Sequence, residues 1–238
     1  MKNLVIGQSG GPTAVINASL YGAVKAFRES GADGHVLGMI NGIEGFLADH
    51  VMDLSTDLSD KELELLKLTP AAYLGSCRYK LPADLDSEVY PAIFDNFREM
   101  NIGYFLYVGG NDSMDTVDKL SRYAEKIGSD VKFIGIPKTI DNDLVLTDHT
   151  PGFGSAAKYV AASVCEIGLD ASVYNTKSVT IIEIMGRHAG WLTAASVLAR
   201  KFELDNPVLI YLPEADFELE QFAKDLRAAL EKQNSVVV

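Results

Sequence analysis

A chain of 238 residues, 47% hydrophobic and 23% charged, has room for one large or two small domains with ample core. Its formal charge of −12 argues against nucleic acid, which needs a basic footprint, and leaves any anionic ligand to be drawn in by local basic groups. No apolar run approaches the roughly 20 residues that span a bilayer, and the apolar start of the chain is too short for a signal peptide. Cys77 and Cys165 have no metal-type spacing and suit a reducing cytoplasm.

Strand-like and helix-like segments alternate, which predicts a mostly parallel sheet covered by helices. A first strand near Leu4–Ile6 leads through a Gly-Gly-Pro turn into a helix carrying Ile16, Leu20, Ala23 and Phe27. Backbone N–H groups at such a turn, with a helix dipole behind them, form an anion site. Gly10 and Gly11 allow close approach, and Pro12 is expected to set the first helical turn. A purely structural turn remains the other reading of these residues alone.

A helix over 89–100 precedes a strand over 104–108, which runs into Gly109-Gly110-Asn111-Asp112-Ser113 and repeats the device. Met114, Val117, Leu120, Ala124 and Ile127 then recur at helical spacing. Asp112 or Ser113 is expected to cap that helix, which does not prevent either from facing a ligand.

The apolar run 131–136 reads as a buried strand that ends on Pro137-Lys-Thr-Ile-Asp-Asn-Asp143. In an extended chain Asp141 and Asp143 project to one side, and two carboxylates there can divide the work of taking a proton and holding a cation. Lys138 adds a positive charge to the same loop. The glycine- and proline-bearing loop 144–154 is the expected boundary between lobes. Beyond it the sequence predicts a helix over 155–167, a strand over 179–185, a helix over 189–200, a strand over 208–212 and a helix over 219–232. The chain closes on Ser235-Val-Val-Val238, a strand start that reads as the end of a truncated chain.

The 137–143 string resembles the catalytic loop of the phosphofructokinase family, in the lysine-bearing form of its pyrophosphate-dependent branch. Ser9-Gly-Gly-Pro-Thr-Ala-Val-Ile-Asn17, Gly109 to Ser113 and Met185-Gly-Arg-His-Ala-Gly-Trp191 also match, in family order. The resemblance implies two Rossmann-like lobes with mostly parallel sheets covered by helices. A donor lobe would cover 1–145 and a sugar-phosphate lobe, incomplete at its C-terminal end, 146–238.

The same resemblance implies phosphoryl transfer from pyrophosphate to the 1-hydroxyl of fructose 6-phosphate with Mg2+. It implies a cytoplasmic enzyme, a homodimer or homotetramer at full length, with no membrane or nucleic-acid partner. ATP-dependent 6-phosphofructokinase and a non-catalytic phosphate-binding fragment are the alternatives. Asp141 would be the base, with Lys138 and Asp112 also at the catalytic centre. Gly11, Arg78, Gly110 and Ser113 would hold the diphosphate. Thr139, Ile140, Asp141, Met185, Gly186, Arg187 and Glu214 would hold the sugar phosphate. Asn111 and Asp143 would serve the metal, although Asn111 stands where the family has an aspartate and a neutral amide is the poorer ligand. Asp112 stands where ATP users have glycine, so it would repel the α-phosphate of a nucleotide.

Overall fold

The computed structural model describes residues 2–201 and 206–238. The chain forms two compact units, Met1–Lys138 and Thr139–Val238, a division that falls ahead of the expected 145/146 boundary.

In the first unit, β1 (Asn3–Gln8) leads to α1 (Ile16–Glu29). β2 (Val36–Met39), α2 (Gly42–Leu47), β3 (Val51–Asp53) and α3 (Asp60–Leu66) follow. α4 (Val89–Glu99), β4 (Ile102–Gly109), α5 (Asn111–Ile127) and β5 (Lys132–Pro137) complete it. The sheet order is β3-β2-β1-β4-β5, parallel except at β3. The chain thus winds outward from β1 in one direction and then from β4 in the other. That reversal opens a crevice at the carboxyl edge, where α/β folds take ligands.

Strand periodicity of two sorts the core onto two faces. Leu4 and Ile6 of β1 join Ile16, Leu20, Val24 and Leu63 under α1 and α3. Val5, between them, joins Phe46, Phe94, Phe97, Phe105 and Leu120 under α2, α4 and α5. Phe97 has the rings of Phe46, Phe94, Phe105 and Phe133 within 6.1 Å, centroid to centroid.

Several local expectations are corrected. β5 is the edge strand, so its outer face is open: Val131 is buried but Ile134 is 52% exposed. Pro12 does not start a helix: α1 begins only at Ile16, after a short turn at Ala14 and Val15. The cap of α5 is Gly110, which places Asn111 and Asp112 inside its first turn.

The second unit contains α6 (Phe153–Ala171), β6 (Ser178–Thr180), α7 (Trp191–Ala195), α8 (Leu219–Lys232) and β7 (Ser235–Val237). β6 and β7 pair in parallel, Ser178 to Ser235 through Thr180 to Val237, so the terminal strand has a partner. The strand expected over 179–185 ends at Thr180, and that expected over 208–212 is not formed. Val208 N–H reaches Val237 O at 2.9 Å and Ile182 N–H reaches Val238 O at 2.8 Å. Val238 N–H also reaches Thr180 O at 2.9 Å, whereas the Val208 contact is a single bond, and a strand needs a ladder. The helix expected over 189–200 is α7 followed by a tighter 3₁₀ turn, Ser196–Ala199. No described helix is long and apolar enough to cross a membrane.

Candidate active site

Strand register brings three sequence-distant segments of the first unit to one edge. Gln8 pairs with Val108 and Gly109 with Pro137, so the turn after β1, the Gly109-Gly110 turn and Lys138 lie side by side. Gly10 adopts φ +75°, a left-handed conformation open to glycine, and a Cβ there would meet Lys138 Nζ at 3.3 Å. Lys138 is buried and donates from Nζ to Gly11 O at 2.6 Å. The Gly11-Pro12 peptide has no N–H, so its carbonyl is its one polar group, and the Lys138 ammonium satisfies it.

The loop carrying Arg78 is fixed against the same turn. Gly10 N–H and Ser9 Oγ both donate to Cys77 O at 3.3 Å, and Ser76 Oγ donates to Gly10 O at 2.6 Å. Buried Gln8 and Asn17 hold the approach to this loop. Gln8 Oε1 accepts from Leu74 N–H at 2.9 Å, and Asn17 Nδ2 donates to Thr69 O and Ala71 O at 2.9 and 2.8 Å. Arg78 is exposed at the loop's end. Cys77 is a buried free thiol, as its apolar setting suggests.

At the head of α5 the N–H groups and the dipole face the same edge. Asn111 and Asp112 are exposed, whereas Ser113 is buried against Gly109, where a Cβ would meet Ser113 Oγ at 1.9 Å. Asp112 Oδ1 lies 3.2 Å from Lys80 Nζ. Both are exposed, so the pair contributes at most about 1 kcal/mol to stability in the free protein.

Beneath the turn, Tyr107 is buried with its hydroxyl 3.5 Å from Cys77 Sγ and 3.4 Å from Ile43 N. Burial pushes its pKa well above the usual tyrosine range. The sign follows directly: the folded chain keeps this proton where the unfolded chain loses it. Stability from Tyr107 is full below about pH 10 and falls as pH rises further. Tyr107→Phe is expected to make the alkaline decline shallower, read from denaturant midpoints on both sides of that pH.

In the second unit the segment from Thr139 to Gly152 is closed on itself. Thr139 N–H donates to Pro151 O at 3.1 Å, and Thr150 Oγ1 to Thr139 O at 2.9 Å. Asp141 N–H donates to Thr139 Oγ1 at 3.1 Å. Asn142 is buried in a left-handed conformation, φ 57°, which corrects the extended path expected from Asp141 to Asp143. Its side chain explains the turn: Nδ2 reaches Asp148 O at 3.0 Å, and Oδ1 accepts from Thr150 N–H at 2.8 Å. Asp141 is half-buried and Asp143 exposed. Ile140 packs against Ala157, Leu192 and Ala195.

Met185 and Arg187 are exposed on either side of Gly186. Gly186 has φ +129°, and a Cβ there would meet Ala189 O at 2.3 Å, so only glycine fits. Glu214 Oε1 accepts from Gly190 N–H at 2.7 Å, which sets the carboxylate at the head of α7.

Among the described residues no group of three or more His, Cys, Asp and Glu side chains is assembled to hold a metal. Asn111 in the first unit and Asp143 in the second are both exposed. Few protein ligands fit magnesium, which is commonly held by one or two carboxylates with water and substrate phosphates.

The sequence reading passed over Ser76, Lys80, Asn142 and the Gln8–Asn17 pair. Gln8 carried a signal, a polar side chain closing an apolar strand; Ser76 and Lys80 carried none.

The family model Phosphofructokinase matches residues 3–238. The pyrophosphate–fructose 6-phosphate 1-phosphotransferase of Halomonas elongata is 47% identical, over 91% of this chain and 52% of its own. That of Rhodospirillum rubrum is 43% identical, over 99% of this chain and 56% of its own. The crystal structure of a pyrophosphate-dependent phosphofructokinase from Marinobacter aquaeolei superposes with a TM-score of 0.89 at 41% identity, covering 100% of this chain and 60% of that one. The chain therefore spans about half the length of the curated relatives it matches. A family model matched over nearly every residue, on a mostly parallel sheet flanked by helices, places this chain in the phosphofructokinase family.

Proposed function

We propose that the protein carrying this chain transfers a phosphoryl group from pyrophosphate to the 1-hydroxyl of fructose 6-phosphate. The products are fructose 1,6-bisphosphate and phosphate. The observation that carries this reading is the charge pattern on the donor edge: a buried Lys138 ammonium against the glycine turn and an exposed Asp112 in the first turn of α5. A carboxylate there repels a nucleotide's α-phosphate, while the ammonium favours charge on a departing phosphate.

Gly11, Arg78, Gly110, Ser113 and Lys138 hold the diphosphate, with Gly110 and Ser113 acting through the backbone at the head of α5. Thr139, Ile140, Met185, Gly186, Arg187 and Glu214 seat the sugar phosphate, Arg187 through its planar fork. Asp141 takes the hydroxyl proton as the oxygen attacks phosphorus and the bridging P–O bond breaks. The leaving oxygen departs with inorganic phosphate. Asp143, with Asn111, serves magnesium, which when bound offsets the charge of the diphosphate. A reducing, cytoplasmic setting fits the two thiols, and a homo-oligomeric state, dimer or tetramer, follows from the family resemblance; neither nucleic acid nor membrane enters the reading.

The test is formation of fructose 1,6-bisphosphate from fructose 6-phosphate with pyrophosphate and, separately, with ATP. Pyrophosphate is expected to be used with the higher kcat/KM. Chelation should abolish turnover and added magnesium restore it. Equal or better use of ATP overturns the donor assignment, and turnover in a metal-free assay overturns the role given to Asp143.

A further inference from the structure

The hydroxyl of Ser76 is placed to orient the one peptide of the glycine turn that can still offer a donor. Gly10 O accepts from Ser76 Oγ at 2.6 Å, and Gly10 N–H is taken by Cys77 O at 3.3 Å. In a trans peptide the carbonyl and the following N–H point in opposite directions. Pinning Gly10 O toward Ser76 therefore turns Gly11 N–H the other way. Gly11 is exposed, and the next peptide has no N–H because residue 12 is proline. Of the two peptides joined at Gly11, only this one can donate to an anion.

A glycine turn needs such a constraint. Gly10 at φ +75° has no Cβ to limit its torsions, so its peptide could rotate in the free protein. Ser76 can resist that rotation because its own loop is held. Asn41 N–H donates to Leu74 O at 2.8 Å, and Gln8 holds Leu74 N–H at 2.9 Å. Lys138 fixes the neighbouring carbonyl of Gly11 at 2.6 Å, so hydroxyl and ammonium set two successive peptide planes. The hydroxyl touches backbone and leaves the ligand to that backbone.

We infer that Ser76 is a positioning residue for the phosphoryl donor, acting through the Gly10-Gly11 peptide to aim Gly11 N–H at a donor phosphate. This deepens the function proposed above and rests on its placement of the donor at the glycine turn, whichever phosphoryl donor is used. Losing one net hydrogen bond changes an equilibrium by roughly 2- to 12-fold.

The experiment compares wild type, Ser76→Ala and Ser76→Thr in the protein carrying the whole chain. It measures kcat, KM for donor and KM for fructose 6-phosphate, with calorimetric binding of pyrophosphate and of ATP and a melting temperature for each. Ser76→Ala is expected to raise the donor KM and Kd by about tenfold, with kcat and the sugar-phosphate KM within about twofold. Ser76→Thr, which keeps the hydroxyl, should restore donor affinity. An unchanged donor KM in Ser76→Ala overturns the inference. So does a rise in both KM values together with a lower melting temperature, or a Thr variant no better than Ala. A wild type that binds neither donor sinks the proposed function as well; a wild type that turns over with an unaffected Ser76→Ala sinks only the role of Ser76.

Discussion

Asp141→Asn is expected to lower kcat by ~10²–10⁴-fold, the scale of a positioned general base. The substitution keeps the shape of the side chain and leaves the Thr139 Oγ1 contact to the backbone N–H of residue 141 intact. It removes the ability to take a proton. KM for fructose 6-phosphate should therefore change little, and the loss should lie in kcat. Steady-state kinetics of the mutant, together with direct binding of fructose 6-phosphate, separates the two. Retention of more than about a tenth of wild-type kcat would assign the base elsewhere. The side chains of Asn142 and Thr150 make their own hydrogen bonds across the 139–152 loop, and the substitution leaves those groups in place.

Lys138→Gly is expected to depress pyrophosphate turnover by ~10²–10³, the scale for one preorganised donor. The fold gives two reasons for so large an effect. The ammonium is buried, so its charge is poorly screened by water. Its removal also leaves Gly11 O without this donor. Asp112→Gly acts differently: it relieves repulsion and should admit ATP without making an efficient ATP enzyme, because no adenine contacts appear. It also releases Lys80, leaving one more uncompensated cation at the edge. A glycine within the first turn of α5 is expected to cost up to about 1 kcal/mol of stability.

The double mutant should shift the ratio of kcat/KM values toward ATP by more than either change alone, since both side chains face one ligand. Measuring both donors with all four proteins decides this. ATP use still at background in Asp112→Gly would remove Asp112 as the donor filter.

Much of the fold was legible from local pattern. The apolar run Leu4, Val5 and Ile6 marked a strand, which the structure buries on both faces, and helical spacing from Met114 to Ile127 marked α5. Both signals are short-range, carried by residues within one or two turns of each other. Apolar runs misled where the partner was missing or lay elsewhere. Residues 208–212 are apolar enough for a strand, but a strand is a pairing and a run of side chains does not supply one. β5 looked buried because its side chains are apolar, yet only its place at the sheet edge decides its exposure.

The candidate site divides along the same line. Glycines directly after strands, a proline stopping β5 and the lysine and aspartates of residues 137–143 were all visible in the chain order, because strand, turn and helix signals are local. What those groups touch was decided by tertiary structure. Lys138 meets Gly11 across 127 positions, and Ser76 meets Gly10 across 66. Those contacts exist because β1 lies beside β4 and β4 beside β5, an order set by how the helices cover both faces of the sheet. Likewise the left-handed turn at Asn142 depends on Asp148 and Thr150 folding back to meet its side chain. The sequence by itself determined which chemical groups stand at strand ends; strand order and loop closure, which no local periodicity encodes, decided which of them hold one another in place.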